Sequence, residues 1–133
     1  MSTRIAPLAI LFILTASLTA CEKTEQAEKS EHRKISFADD VAPIIQKHCA
    51  ECHAAGLPGA MATGFVTDTY QSIMNGTLSG QIVNPGSART SSLYILVSGK
   101  DNLAVTMPHG KKPLETGDIE IIRAWIDSGA LEN

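Results

Sequence analysis

The sequence predicts an all-α fold of about four short helices separated by long loops. Three observations predict it. Four short stretches carry apolar residues at helical spacing between start and stop residues. The segments between them are long and irregular. The chain of 133 residues has room for one domain, with only six aromatic residues (one Trp, two Tyr, three Phe) to fill a core.

In the first helix Phe37, Val41, Ile44, Ile45 and His48 fall close to helical spacing, with Asp39 and Asp40 at the acidic start. Pro43 is tolerated only in a first turn, so the regular helix is expected to begin between residues 40 and 42 and to run into Cys49. A second helix is expected over residues 68–75, with Tyr70, Ile73 and Met74 inward and Gly76 as its stop. Ser91 or Ser92 caps a third over residues 93–97, ended by Ser98 and Gly99. In the fourth, Thr116 is the expected cap and Asp118 and Glu120 occupy the first turn. Ile119, Ile122, Trp125 and Ile126 form its stripe, and Gly129 ends it. Residues 54–67, 76–90 and 100–115 are left as loops. They are long for so small a domain, and make sense if they wrap a bulky ligand that serves as the core.

The first twenty residues stand apart. Arg4 precedes an almost unbroken apolar run over residues 5–18, followed by Leu18-Thr19-Ala20-Cys21. A basic start, a short apolar middle and a small-residue cleavage site make a secretory signal over residues 1–20. The last four residues resemble a bacterial lipobox, in which Cys21 is lipidated and becomes the first residue of the mature chain. An ordinary signal peptide or an uncleaved anchor are the rival readings, although the apolar run is shorter than the ~20 residues a spanning helix needs. Glu22 rather than Asp after that cysteine favours an outer over an inner membrane. Residues 22–34 hold one small apolar residue among thirteen, a composition that cannot offset its own ordering entropy. This tether, behind Cys21, reaches about 45 Å at ~3.4 Å per residue. The domain proper is expected over residues 35–133. Loss of Arg4 with the leader leaves 10 basic and 14 acidic residues, a net charge of −4, and no Lys/Arg run suggests nucleic acid.

Cys49-Ala50-Glu51-Cys52-His53 has the spacing of covalent haem c attachment. Two thiols three residues apart can add to the two vinyl groups on one edge of the porphyrin, and the adjacent imidazole reaches the iron. A structural zinc site normally needs a second ligand pair, and no other cysteine pair exists. A thioredoxin-like pair would follow an apolar strand, whereas Lys47-His48 precede Cys49. With Cys21 assigned to lipid, no cysteine remains for a structural disulfide.

Met107 lies 54 residues after His53, in a loop before the last helix, and is the favoured second iron ligand, with His109 its main rival. A thioether ligand raises the reduction potential relative to two imidazoles. Met74 reads as core filler, and Met61 lies too near His53 to cross a haem ring easily. The other ring N–H of His53 should meet a backbone carbonyl, with one near Leu57-Pro58 suitably placed in sequence, although a plain turn is an equal reading of Pro58-Gly59. Arg89, Lys111 and Lys112 are candidate partners of haem propionates or solvated surface residues. Tyr94 and Trp125 are read as packing aromatics, and His48 as exposed and without a role.

With these residues in hand the chain resembles the class I cytochrome c superfamily, and within it the planctomycete-type cytochrome c domain. The matching stretches are Phe37-Ala-Asp-Asp-Val-Ala-Pro-Ile-Ile, Cys49-Ala-Glu-Cys-His, Ile82-Val-Asn-Pro-Gly, Ser91-Ser-Leu-Tyr, Met107-Pro and Arg123-Ala-Trp-Ile-Asp-Ser-Gly-Ala. They span residues 37–130. The resemblance implies a small cytochrome c fold around one covalent haem, with His53 proximal and Met107 distal. Such domains often occur fused to larger modules, whereas this one stands behind a lipobox. The expected role is a lipid-anchored, single-electron carrier on the periplasmic or external face of a bacterial membrane, working with redox partner proteins. A fixed haem subunit of a membrane oxidoreductase and a haem-based redox or gas sensor are the alternatives. No second cluster of titratable residues suggests general acid–base work, so neither catalysis nor a small-molecule substrate is expected.

Overall fold

Every regular element of the computed structural model, which describes residues 33–100 and 105–133, is helical, apart from a single bridge between Thr77 and Gly80. The expected leader, Cys21 and the tether up to residue 32 lie outside the described residues, as do residues 101–104 of the third expected loop. Residues 34–133 form one compact unit.

Ser36 starts the first element: its hydroxyl accepts from the Asp39 amide at 3.2 Å, and a π-helical turn over Phe37–Val41 follows. The chain then enters α1 (Ala42–His48), with Pro43 in its first turn. A one-turn helix, α2 (Ala50–His53), continues directly from it. Next comes α3 (Pro58–Thr63), inside a segment expected to be loop. Pro58 and Gly59 look like a turn in sequence, but Pro at the first helical position is pre-organised for a helix start. Gly64 closes α3 in the left-handed region at φ 76°. There a β-carbon would also lie 2.8 Å from the Leu78 side chain.

The remaining helices follow the apolar pattern closely. α4 (Tyr70–Asn75) begins two residues later than expected, because Thr69 and Ser72 form a reciprocal capping box. α5 (Ser92–Ser98) follows Ser91, which makes no side-chain cap, and ends at Gly99. α6 (Thr116–Asp127) has Glu115, not Thr116, at its cap position, and Thr116 is its first helical residue. No side chain bonds the α6 cap, so the acidic Asp118 in the first turn complements that end of the helix through its charge.

Sixteen buried apolar residues pack against one another as the core among the described residues. Ile122, Trp125 and Ile126, at i, i+3 and i+4 on α6, are fully buried. The Phe37 ring lies 5.1 Å from Tyr70 and 5.5 Å from Trp125 between centroids. The polar ends of these rings are satisfied by the last residues of the chain. Trp125 Nε1 donates to the Leu131 carbonyl at 3.0 Å and the Tyr70 hydroxyl donates to the Ala130 carbonyl at 2.7 Å. Asn133 completes the closure, accepting from the Phe37 amide through its side chain and from the Ala38 amide through its carbonyl. A ligand-sized space lies beside the core, and Phe65, Leu93, Val97 and Leu114 belong to both.

Candidate functional site

The Cys49 amide donates to Ile45 O at 2.8 Å, and its carbonyl accepts from His53 N at 2.9 Å, so helical bonding passes through the motif. Residues at i, i+3 and i+4 share one helical face. Cys49, Cys52 and His53 have that spacing, and all three line a single cavity of about 380 Å³. This lies within the usual ~300–1,000 Å³ of ligand pockets. Phe65, Ile82, Leu93, Leu96, Val97 and Leu114 make its walls apolar.

His53 is aimed by the chain that returns past it. Its Nδ1 lies 3.3 Å from the Phe65 carbonyl, which can only accept, so Nδ1 is the donor in this contact and Nε2 is the ring nitrogen left for another partner. The expected carbonyl near Leu57-Pro58 is therefore the wrong one. Leu57 O is taken by the Met61 amide at 2.9 Å as α3 begins. The Thr67 amide donates to His53 O at 3.0 Å and fixes the same strip of chain from the other side. Gly59 permits the close approach of α3: a β-carbon there would stand 2.6 Å from Cys52 O and 3.1 Å from His53 Cε1.

The 107–111 loop supplies another wall. The Met107 amide donates to Leu96 O at 3.0 Å, the Lys111 amide to Pro108 O at 3.3 Å, and Met107, Pro108, His109 and Lys111 all line the cavity. Met107 is half-buried, whereas His109 is exposed. Met61 is 67% exposed and Met74 packs against the core; neither lines the cavity. Of the three basic candidates only Lys111 reaches the cavity wall, while Arg89 lies away from it and Lys112 pairs with Glu115 at 2.6 Å. Trp125 belongs to the core. Tyr94 is buried, its hydroxyl accepting from Lys100 Nζ at 2.9 Å. His48, read as exposed, is half-buried: it lines the cavity, with Nε2 3.2 Å from Asp118 Oδ2 at the start of α6. Gly59, Phe65 and His48 were not anticipated as site residues. Only Gly59 had a local signal, its place after Pro58 within reach of the motif.

The donor chemistry separates the rival uses of the motif. Cys49 and Cys52 are free thiols, and the Cys49 thiol is pushed up to about 11, by burial first and by the neighbouring Cys52 second. That is opposite to the lowered pKa of an activated dithiol. Among the described residues no group of three or more His, Cys, Asp or Glu converges as a metal cage would require. Two thiols and an imidazole on one face of an apolar cavity, with a thioether in its wall, fit a covalently attached haem. No helix among the described residues is long and apolar enough to cross a membrane. No family model, curated protein or solved structure matches this chain.

Proposed function

We propose that this chain is a membrane-anchored mono-haem c-type cytochrome, of small cytochrome c fold, that transfers single electrons in the periplasm or at the cell surface. The observation that carries the reading is the shared face: Cys49, Cys52 and His53 line the same apolar cavity as Met107. Cys49 and Cys52 would hold the group through thioethers, and His53, oriented by the contact of its Nδ1 with Phe65 O, would bind its iron through Nε2. Bound haem supplies the one-electron Fe(II)/Fe(III) chemistry. The protein's part is to position, ligate and keep water away. Met107 is preferred to His109 because it is half-buried and its backbone is pinned to Leu96. A thioether from Met107 paired with the His53 imidazole favours the reduced state over what two imidazoles would give. Cys21, in its lipobox-like setting, supplies the lipid anchor, and no substrate turnover is assigned.

Replacing both Cys49 and Cys52 with Ala abolishes covalent haem on this account. A haem-staining band that survives denaturing electrophoresis of the double variant would sink it. Met107→Ala should remove the sulfur-to-iron band and open the iron to carbon monoxide. An unchanged spectrum and unchanged carbon monoxide binding would exclude Met107 as a ligand.

One observation favours a second reading, a fixed haem subunit of a larger oxidoreductase. Met61 and Leu78 are 67% and 81% exposed. Both lie on segments whose Gly59, Thr63 and Thr77 line the cavity, and the Leu78 amide bonds Thr63 O at 2.8 Å. Exposed apolar side chains beside a redox site suit a permanent contact. Migration of the detergent-extracted protein as a free monomer would dismiss this reading.

A further inference from the structure

Two of the ion pairs at the surface join residues far apart in sequence, and one of these bridges the two sides of the site. Lys112–Glu115 and the pairs of Arg123 with Glu120 and Asp127 connect residues three or four apart. Lys111 Nζ instead donates to the Glu51 carboxylate, 60 residues away in sequence. Glu51 lies between the two cysteines on α2, and Lys111 follows Met107 on the loop that walls the cavity. The pairing raises the Lys111 pKa, with the Glu51 hydrogen bond as its first cause.

The loop is therefore held at two points. One is the Met107 amide on Leu96 O; the other is the Lys111 side chain on Glu51, with the Lys111 amide closing a turn back onto Pro108 O. Pro108, His109 and Gly110 span the interval, and no other hydrogen bond of theirs to a neighbouring element is seen among the described residues. Loss of the second anchor leaves the stretch after Met107 without a side-chain tie to the motif until buried Leu114.

We propose that Glu51 and Lys111 form a latch that holds the Met107 loop closed over the cavity, acting as positioning residues that oppose release of the sixth ligand. The inference rests on the haem reading above. Exposed pairs contribute little, so the effect is a shift in how often the loop opens and leaves the fold intact.

The test is imidazole binding to the ferric, haem-loaded protein, where entry of imidazole waits on departure of Met107. Glu51→Gln and Lys111→Gln should each speed binding about two- to fivefold at low salt, the range an exposed ion pair supports. The charge-swapped double variant, Glu51→Lys with Lys111→Glu, should return the rate towards wild type. Wild type in 1 M salt should approach the single variants, because screening at about 3 Å removes the pair. Single variants at the wild-type rate, or a swap that fails to restore it, would overturn the latch. If a variant does not load haem, the salt dependence of wild type decides alone. If wild type itself carries no covalent haem, the underlying reading fails. The latch is then tested by amide hydrogen exchange at Met107, which should quicken in Lys111→Gln and which, unchanged, refutes it.

Discussion

Around Phe37, Tyr70 and Trp125 the chain closes on its own side chains, and every ring polar group there finds a backbone partner. Around Cys49, Cys52 and His53 the same chain holds its walls apart, leaving apolar side chains and two thiols facing a cavity. The two regions share Phe65, Leu93, Val97 and Leu114, so the second is built on the first. The difference shows that side chains of one helix, such as Leu93 and Val97, can pack the core and also wall the cavity. α5 and α6 pack the core, while α2, α3, the inner side of α5 and the 107–111 loop wall the cavity.

The largest effect that would break this comparison comes from Trp125→Ala, which removes a fully buried indole and should cost about 3–5 kcal/mol in chemical denaturation. Leu96→Ala, at the cavity wall, should cost clearly less in the haem-free protein, because that side chain already faces open space. Equal costs would mean that the regions are not distinct. Next in size is Gly59→Ala, which drives a methyl into the Cys52 carbonyl and should cost about 1–3 kcal/mol while lowering haem loading. Normal stability and loading would show that α3 is free to move away.

A pH scan sharpens the comparison further. In the haem-free protein the Cys49 thiol is held protonated up to about pH 11, above its usual value, by burial and by Cys52. A raised folded pKa gives stability that is complete below the unfolded value and is lost as pH rises through the folded one. Denaturation midpoints should therefore fall between about pH 9 and 11, and Cys49→Ala should flatten that fall. An identical decline in the variant would discard the idea. The smallest effect is expected from Thr67→Val. The Thr67 hydroxyl is buried without a hydrogen-bond partner, so the exchange should be neutral or raise Tm slightly. A loss of more than about 1 kcal/mol would reveal a partner for that hydroxyl.

The legible parts of the fold were those whose cause is local. Ile122, Trp125 and Ile126 announce α6 by their spacing, and Pro43 dates the start of α1, because periodicity and ring chemistry act within a few residues. The helix over Pro58–Thr63 was missed because Pro-Gly reads as a turn unless something packs against it; here it lies against Cys52 and His53. In the site, Cys49, Cys52, His53 and Met107 stand out by residue type, and the structure adds that they line one cavity. The His53–Phe65 bond was not legible, since it depends on Gly64 turning the chain back after α3. The pairs His48–Asp118 and Lys111–Glu51 were equally hidden, because they join segments that only tertiary packing brings together.

Intact-mass measurement tests the central claim most directly. The protein is produced in a host that exports it and attaches haem c, then denatured before analysis. The account predicts a polypeptide heavier by one haem than the same exported chain carrying Cys49→Ala and Cys52→Ala, with neither Cys49 nor Cys52 of the wild type open to alkylation. A mass equal to the bare chain, with both thiols alkylated, would contradict it.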